Sequence, residues 1–247
     1  MSEEIIKGSR PDRQQLSEEA DTMRKNLTEI VFIIDKSGSM SGLELDTIGG
    51  FNSMLSKQRE EEGEAFVSTV LFDTHQTVLH DRVPLDKIKD MTRDQYRVGG
   101  CTALLDAMGD AIRHIGNVHK YAREEDRPEK TIFSITTDGY ENSSRRYSYD
   151  DIRRLVERQK EKYHWEFLFL GANIDAISVA GRFGIRADRA VTYEHDAYGT
   201  SLNYEAMSDA LSSFRCSAPD EAPIADNWKE KVEKDYARRH GKKKGRI

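Results

Sequence analysis

The chain has 247 residues, of which 37% are hydrophobic and 33% are charged, and its formal net charge is −6. This length suits one α/β domain with additional terminal segments. Residues 229–247 hold nine basic and three acidic residues, which leaves 29 basic and 41 acidic residues in residues 1–228. The acidic excess argues against nucleic-acid binding by the main body and leaves only the basic tail for such a role.

The N-terminal segment is polar and strongly charged. It begins Met-Ser-Glu-Glu and lacks the apolar run of a signal peptide, so we expect a cytoplasmic protein. No stretch approaches the roughly 18 apolar residues that a membrane span needs. The two cysteines, Cys101 and Cys216, exclude a disulfide framework and a CxxC metal site. We predict a mobile polar arm over residues 1–26, with a helix over 12–25.

The first predicted strand covers residues 28–35 and contains a wholly apolar run at 30–34. Such a run is typical of a strand that is buried on both faces. Asp35, Ser37 and Ser39 follow it at alternate positions, and Gly38 allows a sharp turn between them. A helix is predicted over 43–61 by the spacing of its apolar residues. Its Gly49-Gly50 pair lowers helix propensity, and close packing against the sheet is one reason to accept that cost.

Two further strands are predicted at 65–72 and 76–80, joined by a tight turn at residues 73–75. Residues 84–95 form a polar loop in this interpretation. A strongly amphipathic helix is predicted over 104–121, directly after Gly100-Cys101-Thr102. The next buried strand, at 131–136, ends at Thr137-Asp138-Gly139.

The remaining predicted elements are shorter. Ser148 provides a capping side chain for a helix over 149–162. It is followed by a strand at 166–170, a helix at 175–183, a strand at 190–192 and a helix at 199–214. The pattern fails from Ala218 onward, so we predict a polar, basic and disordered tail over 216–247.

Strands alternate with helices throughout residues 27–215. This order predicts an α/β fold with a mainly parallel central sheet, one antiparallel edge strand from 76–80, and helices on both faces. Ligands of such folds bind at the carboxyl ends of the strands. Asp35, Thr102 and Asp138 all fall in loops at that edge of the predicted sheet.

These loops resemble the metal-ion-dependent adhesion site (MIDAS) of von Willebrand factor A (vWA) domains. The family pattern is Asp-x-Ser-x-Ser, followed by a distant Thr and a distant Asp. The sequence matches it in order, over a resemblance that covers roughly residues 27–215, at five positions: Asp35, Ser37, Ser39, Thr102 and Asp138. The resemblance implies a three-layer, Rossmann-like fold. Within the family, the missing disulfides, signal peptide and attached domains lead us to expect a stand-alone intracellular member of prokaryotic or phage type.

Hydroxyl, carboxylate and water oxygens are hard ligands that suit Mg²⁺, or alternatively Mn²⁺. The resemblance implies that Ser37, Ser39 and, in the ligand-competent state, Thr102 contact the ion directly. It implies that Asp35 and Asp138 act mostly through bound water. An acidic residue of a protein partner then completes the coordination shell. We therefore expect a Mg²⁺-dependent protein-binding module rather than an enzyme, with an ATPase or a stress or defence system as its client.

Four alternatives remain at this point. The Asp35 loop could merely form a turn and cap the following helix, the intact site could serve chiefly for stability, or the protein could be a metal-independent scaffold. An enzyme of the phosphatase or nuclease class could use the same ion, with the basic tail holding substrate. The sequence argues against several enzyme classes, because it has Ser37 where a haloacid-dehalogenase-type phosphatase needs a second Asp, and it contains no P-loop and no GxGxxG.

Several residues near the motif have two interpretations. Asp73, Glu141 and Asn142 could lie near the ion, but turn and capping roles are favoured. Tyr140, Tyr147 and Tyr149 could form a contact rim or could pack under the 149–162 helix; these two roles are equally supported by the sequence.

Overall fold

A computed structural model describes residues 27–217, 224–225 and 227–241 of the chain. The predicted N-terminal arm at 1–26 lies outside these residues, as does the end of the basic tail at 242–247. Within the described part, no helix is long and apolar enough to cross a membrane.

One six-stranded sheet forms the centre of the molecule, in the strand order β3-β2-β1-β4-β5-β6. The strands are β1 (Leu27–Asp35), β2 (Glu64–Phe72), β3 (Gln76–Pro84), β4 (Lys130–Thr137), β5 (Glu166–Ala172) and β6 (Ala190–Tyr193). Five strands run parallel, and β3 pairs with β2 in the antiparallel direction at the edge. The predicted sheet, including its antiparallel edge strand, is confirmed.

Helices cover both faces of the sheet. They are α1 (Glu44–Glu60), α2 (Leu104–Tyr121), α3 (Tyr149–Tyr163), α4 (Ala176–Arg182), α5 (Ala197–Cys216) and α6 (Glu230–His240). Short 3₁₀ turns lie at Gly38–Met40, Leu85–Lys87, Glu124–Asp126 and Ala187–Arg189. Apolar side chains of α1, α5 and α6 join one core cluster, and those of α2, α3 and α4 join the other. The three-layer α/β architecture is therefore confirmed.

Strand β1 lies at the centre of both clusters. Ile30, Phe32 and Ile34 point into the first cluster, while Val31 and Ile33 point into the second. All five side chains are at most 1% exposed. Burial on both faces explains why the run is apolar at every position rather than at alternate ones. The strand thus delivers Asp35 to a fixed position at the carboxyl edge of the sheet.

The C-terminal region differs from the predicted disordered tail. Ile224, Trp228 and Val232 are all buried in the core cluster that contains α1 and α5. The Trp228 indole Nε1 donates a hydrogen bond to the Asp188 carbonyl oxygen at 3.0 Å. The prediction is therefore wrong for the tail residues that are described, and the packed unit extends beyond residue 215. Only Val232 lies within α6, whereas Ile224 and Trp228 pack from the irregular segment before it, so no helical period marked these residues in the sequence.

Candidate metal centre

Three loops meet at the carboxyl edge of the sheet. Strands β1 and β4 are neighbours, with Ile34 paired to Thr136, so the loops that carry Asp35 and Asp138 start side by side. The loop before α2 is tied to the first of these, because Gly38 N–H donates to the Gly100 carbonyl at 3.1 Å and Gly99 N–H donates to the Lys36 carbonyl at 2.9 Å. These backbone bonds bring Thr102 to the same edge.

Asp35 is fully buried, and neutral donors hold its carboxylate. Oδ1 accepts a hydrogen bond from Ser37 N–H at 2.7 Å, and Oδ2 accepts one from the Thr137 hydroxyl at 2.6 Å. Burial raises the pKa of Asp35 from 3.8 to about 6, although the hydrogen bonds from Thr137 and Ser37 oppose the rise. A carboxylate with this environment gains from a nearby cation.

The hydroxyls of the motif form a short chain that ends at the second carboxylate. Ser37 Oγ lies 3.1 Å from Ser39 Oγ, and Ser39 Oγ donates to Asp138 Oδ1 at 2.6 Å. Adjacent ligands of an octahedral Mg²⁺, each 2.0–2.1 Å from the ion, lie about 2.9 Å apart. The spacing of the two serine hydroxyls fits that edge. Ser37 is buried and Ser39 is exposed, so the chain runs from the interior to the surface.

Thr102 completes the set from the third side. A Cβ atom placed on Gly139 would lie 3.8 Å from Thr102 Oγ1 and 3.9 Å from Ser39 Oγ, so both hydroxyls border the space in front of this glycine. Asn142 fixes the Thr102 backbone in both directions, accepting from its N–H at 2.9 Å and donating to its carbonyl at 3.0 Å. The structure thus brings all five predicted residues to one place.

The composition of this set decides which ions it suits. Among the described residues, no group of three or more His, Cys, Asp or Glu side chains is arranged to hold a metal ion. The five predicted residues have only two carboxylates, and the other three are hydroxyls. Such a set fits a hard ion that retains water, such as Mg²⁺, and does not fit the nitrogen and sulfur chemistry of zinc.

Comparison with known proteins supports the fold. No protein-family model matches the sequence, and no curated protein matches it. A solved structure of a von Willebrand factor type A protein from Catenulispora acidiphila matches with a TM-score of 0.54 and 14% identity over 76% of this chain. The chain has a vWA-like fold. Proximal thread matrix protein 1 from the mussel byssus matches with a TM-score of 0.50 and 14% identity over 74% of this chain.

The matches concern the fold alone at this level of identity. The chain spans 43% of the length of the bacterial protein and 46% of the length of the mussel protein. The residues of the candidate centre therefore have to be argued from the geometry of this chain.

Three residues of the candidate centre were missed in the sequence. Thr137 binds Asp35, as described above, and its place beside Asp138 was the available signal. The Tyr96 hydroxyl donates to the Asp35 carbonyl at 2.5 Å from a loop residue that carries no local pattern. His195 Nε2 lies 2.9 Å from Asp138 Oδ2, although the ring N–H is not directed at that oxygen. The contact with Asp138 raises the pKa of His195. The place of His195, two residues after the end of β6, was a usable signal.

The neighbouring residues make turn and capping contacts. Asp73 Oδ1 accepts from His75 N–H at 2.7 Å within the turn, and Asp73 also forms an ion pair with Lys36. Glu141 Oε2 accepts from Leu105 N–H at 2.9 Å and so caps the first turn of α2, while Asn142 binds Thr102.

The tyrosines divide between the two roles considered. The Tyr147 ring lies against Gly109 of α2, where an added Cβ would come within 2.6 Å of it, and Tyr149 stacks on Phe183 with 5.4 Å between ring centroids. Both therefore pack in the interior layer. Tyr140 is 55% exposed beside Gly139 and is the tyrosine available for a contact rim.

Proposed function

We propose that the protein is a Mg²⁺-dependent protein-binding module whose metal centre consists of Asp35, Ser37, Ser39, Thr102 and Asp138, with Mn²⁺ as the alternative ion. The observation that carries the proposal is the hydroxyl chain of Ser37 and Ser39, which ends on Asp138 next to Thr102. A bound ion would supply a Lewis-acidic position for one carboxylate oxygen of a partner's Asp or Glu.

The charge balance of the centre supports this role. Asp35 already accepts hydrogen bonds on both of its oxygens from Ser37 and Thr137. Asp138 accepts from Ser39 and contacts His195. Since hydroxyls bring no charge, the direct ligands leave a divalent cation under-neutralised, and an external carboxylate is the natural complement.

The position of the centre supports a protein partner. Ser39 is exposed, and Tyr140, which follows Gly139 in the third loop, is 55% exposed, so the centre opens on the surface of the loops. A cleft of about 360 Å³ lies elsewhere, lined by residues such as Leu27, Pro84 and Arg215, and none of its lining residues belongs to the five. A carboxylate on a protein surface can reach an open site of this kind.

The biological setting that we propose follows from the resemblance alone. It is a domain of prokaryotic or phage type that acts as an assembly adaptor. An ATPase or a stress or defence system is the client that such a domain serves.

Isothermal titration with Mg²⁺ tests the metal centre. Ser37→Ala and Thr102→Ala remove one hydroxyl each, and we expect at least a tenfold loss of affinity, since even outer-shell changes cost 10–100-fold. Ser41→Ala is the matched control, because this exposed serine lies in the same loop outside the motif. Equal Mg²⁺ binding by all four proteins would contradict the assignment.

Pull-downs in Mg²⁺ and in EDTA test partner binding. We expect proteins that are recovered with Mg²⁺, lost in EDTA and lost with Ser37→Ala. Recovery of the same proteins under both conditions would refute the adaptor role. Turnover of a generic phosphate ester that depends on Ser37 would favour the phosphatase or nuclease alternative instead.

A further inference from the structure

The loop after β6 contributes one side chain to the candidate centre. His195 Nε2 lies 2.9 Å from Asp138 Oδ2, and the Asp138 side chain is fully buried. The other oxygen of Asp138, Oδ1, accepts from Ser39. The two oxygens of the carboxylate therefore face different partners, and His195 sits on the side away from the serine hydroxyls.

The residues on both sides of His195 bind the last turn of α6. His240 Nε2 lies 2.6 Å from Glu194 Oε2, and Arg239 Nη1 forms an ion pair with Asp196 Oδ2. Asp196 is also the N-cap of α5, accepting from Gly199 N–H at 2.7 Å through Oδ1. The tripeptide that carries His195 is thus held by a helix distant from it in sequence.

Helix α6 is itself fixed to the sheet. Trp228, just before the helix, and Val232 within it are buried in the core, and Lys229 Nζ donates to the Ala187 and Ala190 carbonyls at 2.8 and 2.9 Å. Asp235, which is 7% exposed, lies 2.9 Å from Arg239 Nε and orients that guanidinium toward Asp196. A continuous series of contacts therefore joins the core-packed helix to Asp138.

We propose that His195 is a positioning residue of the metal centre, and that the last turn of α6, through Arg239 and His240, holds it against Asp138. This inference rests on the proposed function and adds to it the part of the chain that tunes ion affinity. His195 restrains Asp138 through Oδ2, which keeps Oδ1 on the side of Ser39 and the hydroxyl chain. Loss of the restraint costs ion affinity without removing any of the five residues.

The test is a Mg²⁺ titration of the full chain in four variants, with melting curves in EDTA to confirm folding. We expect His195→Ala to weaken Mg²⁺ binding by 10–100-fold, the range for outer-shell partners of metal ligands. His195→Gln retains an N–H donor near the position of Nε2 and should recover most of the affinity. The double variant R239Q/H240Q should weaken binding by several fold, although both residues lie far from the centre in sequence.

Lys234→Gln is the matched control. Its ion pair with Glu230 lies on the exposed side of the same helix, so it removes a charge from α6 without touching the His195 loop. If His195→Ala and R239Q/H240Q bind Mg²⁺ as tightly as the unaltered chain, the positioning role is overturned while the metal centre stands. If Lys234→Gln weakens binding as much as R239Q/H240Q, the specific contact with the loop is overturned. If the unaltered chain binds no Mg²⁺, the proposed function and this inference both fail.

Discussion

Replacing Asp35 by Asn in the metal-free protein should stabilise the fold. The carboxylate is fully buried and is held by a backbone N–H and a hydroxyl, and no cationic side chain among the described residues contacts it. An Asn at this position keeps an oxygen for Ser37 N–H and offers N–H to the Thr137 hydroxyl. That hydroxyl lies 3.2 Å from the Gly139 carbonyl and can donate there instead. The substitution removes the charge and retains the hydrogen bonds.

The size of the effect follows from the pKa of Asp35. Its rise from 3.8 to about 6 on folding corresponds to about 3 kcal/mol. Because the folded state holds the proton more tightly, this contribution is fully present below pH 3.8 and is lost as the pH rises through about 6. At pH 8 the Asp35→Asn protein should therefore be more stable by about 3 kcal/mol, and at pH 5 by roughly half as much.

Urea denaturation in EDTA at pH 5 and pH 8 measures the difference. Asp86→Asn is the control, since the Asp86 side chain is 68% exposed and should show no such change between the two pH values. Mg²⁺ at 100 times its dissociation constant adds about 2.7 kcal/mol to the unaltered chain, which should nearly cancel the advantage of Asp35→Asn at pH 8. A less stable Asp35→Asn protein at pH 8 in EDTA, or an equal gap at both pH values, would refute this reasoning.

Two more predictions concern packing. Gly50→Ala should destabilise the fold by about 1–3 kcal/mol, because the new Cβ would lie 2.4 Å from the Tyr204 ring. At Gly49 a new Cβ would meet nothing within 4 Å, so Gly49→Ala should stabilise helix α1 by up to about 1 kcal/mol. Chemical denaturation of the two variants measures both changes in stability. Trp228→Ala should cost about 3–5 kcal/mol and release α6, which hydrogen exchange of residues 227–241 would detect.

The architecture could be predicted because its signals are local. Buried strands give continuous apolar runs and helices give periodic ones, so strand order and layering followed from residues 27–215. Strand β3 is longer than its predicted range of 76–80, since it extends to Pro84. The charged pair Asp81-Arg82 suggested that the strand had ended, but Arg82 Nε donates to Glu29 Oε2 of β1 at 2.7 Å. The two residues are 53 apart in the sequence, so the local sequence of neither strand indicates that they pair.

The candidate centre divides in the same way. Asp35, Ser37 and Ser39 form a local motif, and the resemblance supplied Thr102 and Asp138. The position of His195 near the end of β6 placed it at the correct edge of the sheet, but its contact with Asp138 Oδ2 depends on loop packing that the sequence does not show. The Gly49-Gly50 pair shows a related limit. The sequence suggested close packing of these glycines against the sheet, but the close contact in the structure is between Gly50 and Tyr204 of α5.

The two carboxylates of the centre are compensated differently, and this difference couples ion binding to stability. Asp138 accepts from a hydroxyl on one oxygen, and His195, whose pKa the contact raises, lies 2.9 Å from the other oxygen. Among the described residues Asp35 has only neutral hydrogen-bond donors, and burial raises its pKa. Most of the stabilisation on Mg²⁺ binding should therefore arise at Asp35. Hence Asp35→Asn should abolish the Mg²⁺-induced rise in melting temperature, while His195→Ala should retain the rise but need a higher Mg²⁺ concentration to reach the same melting temperature.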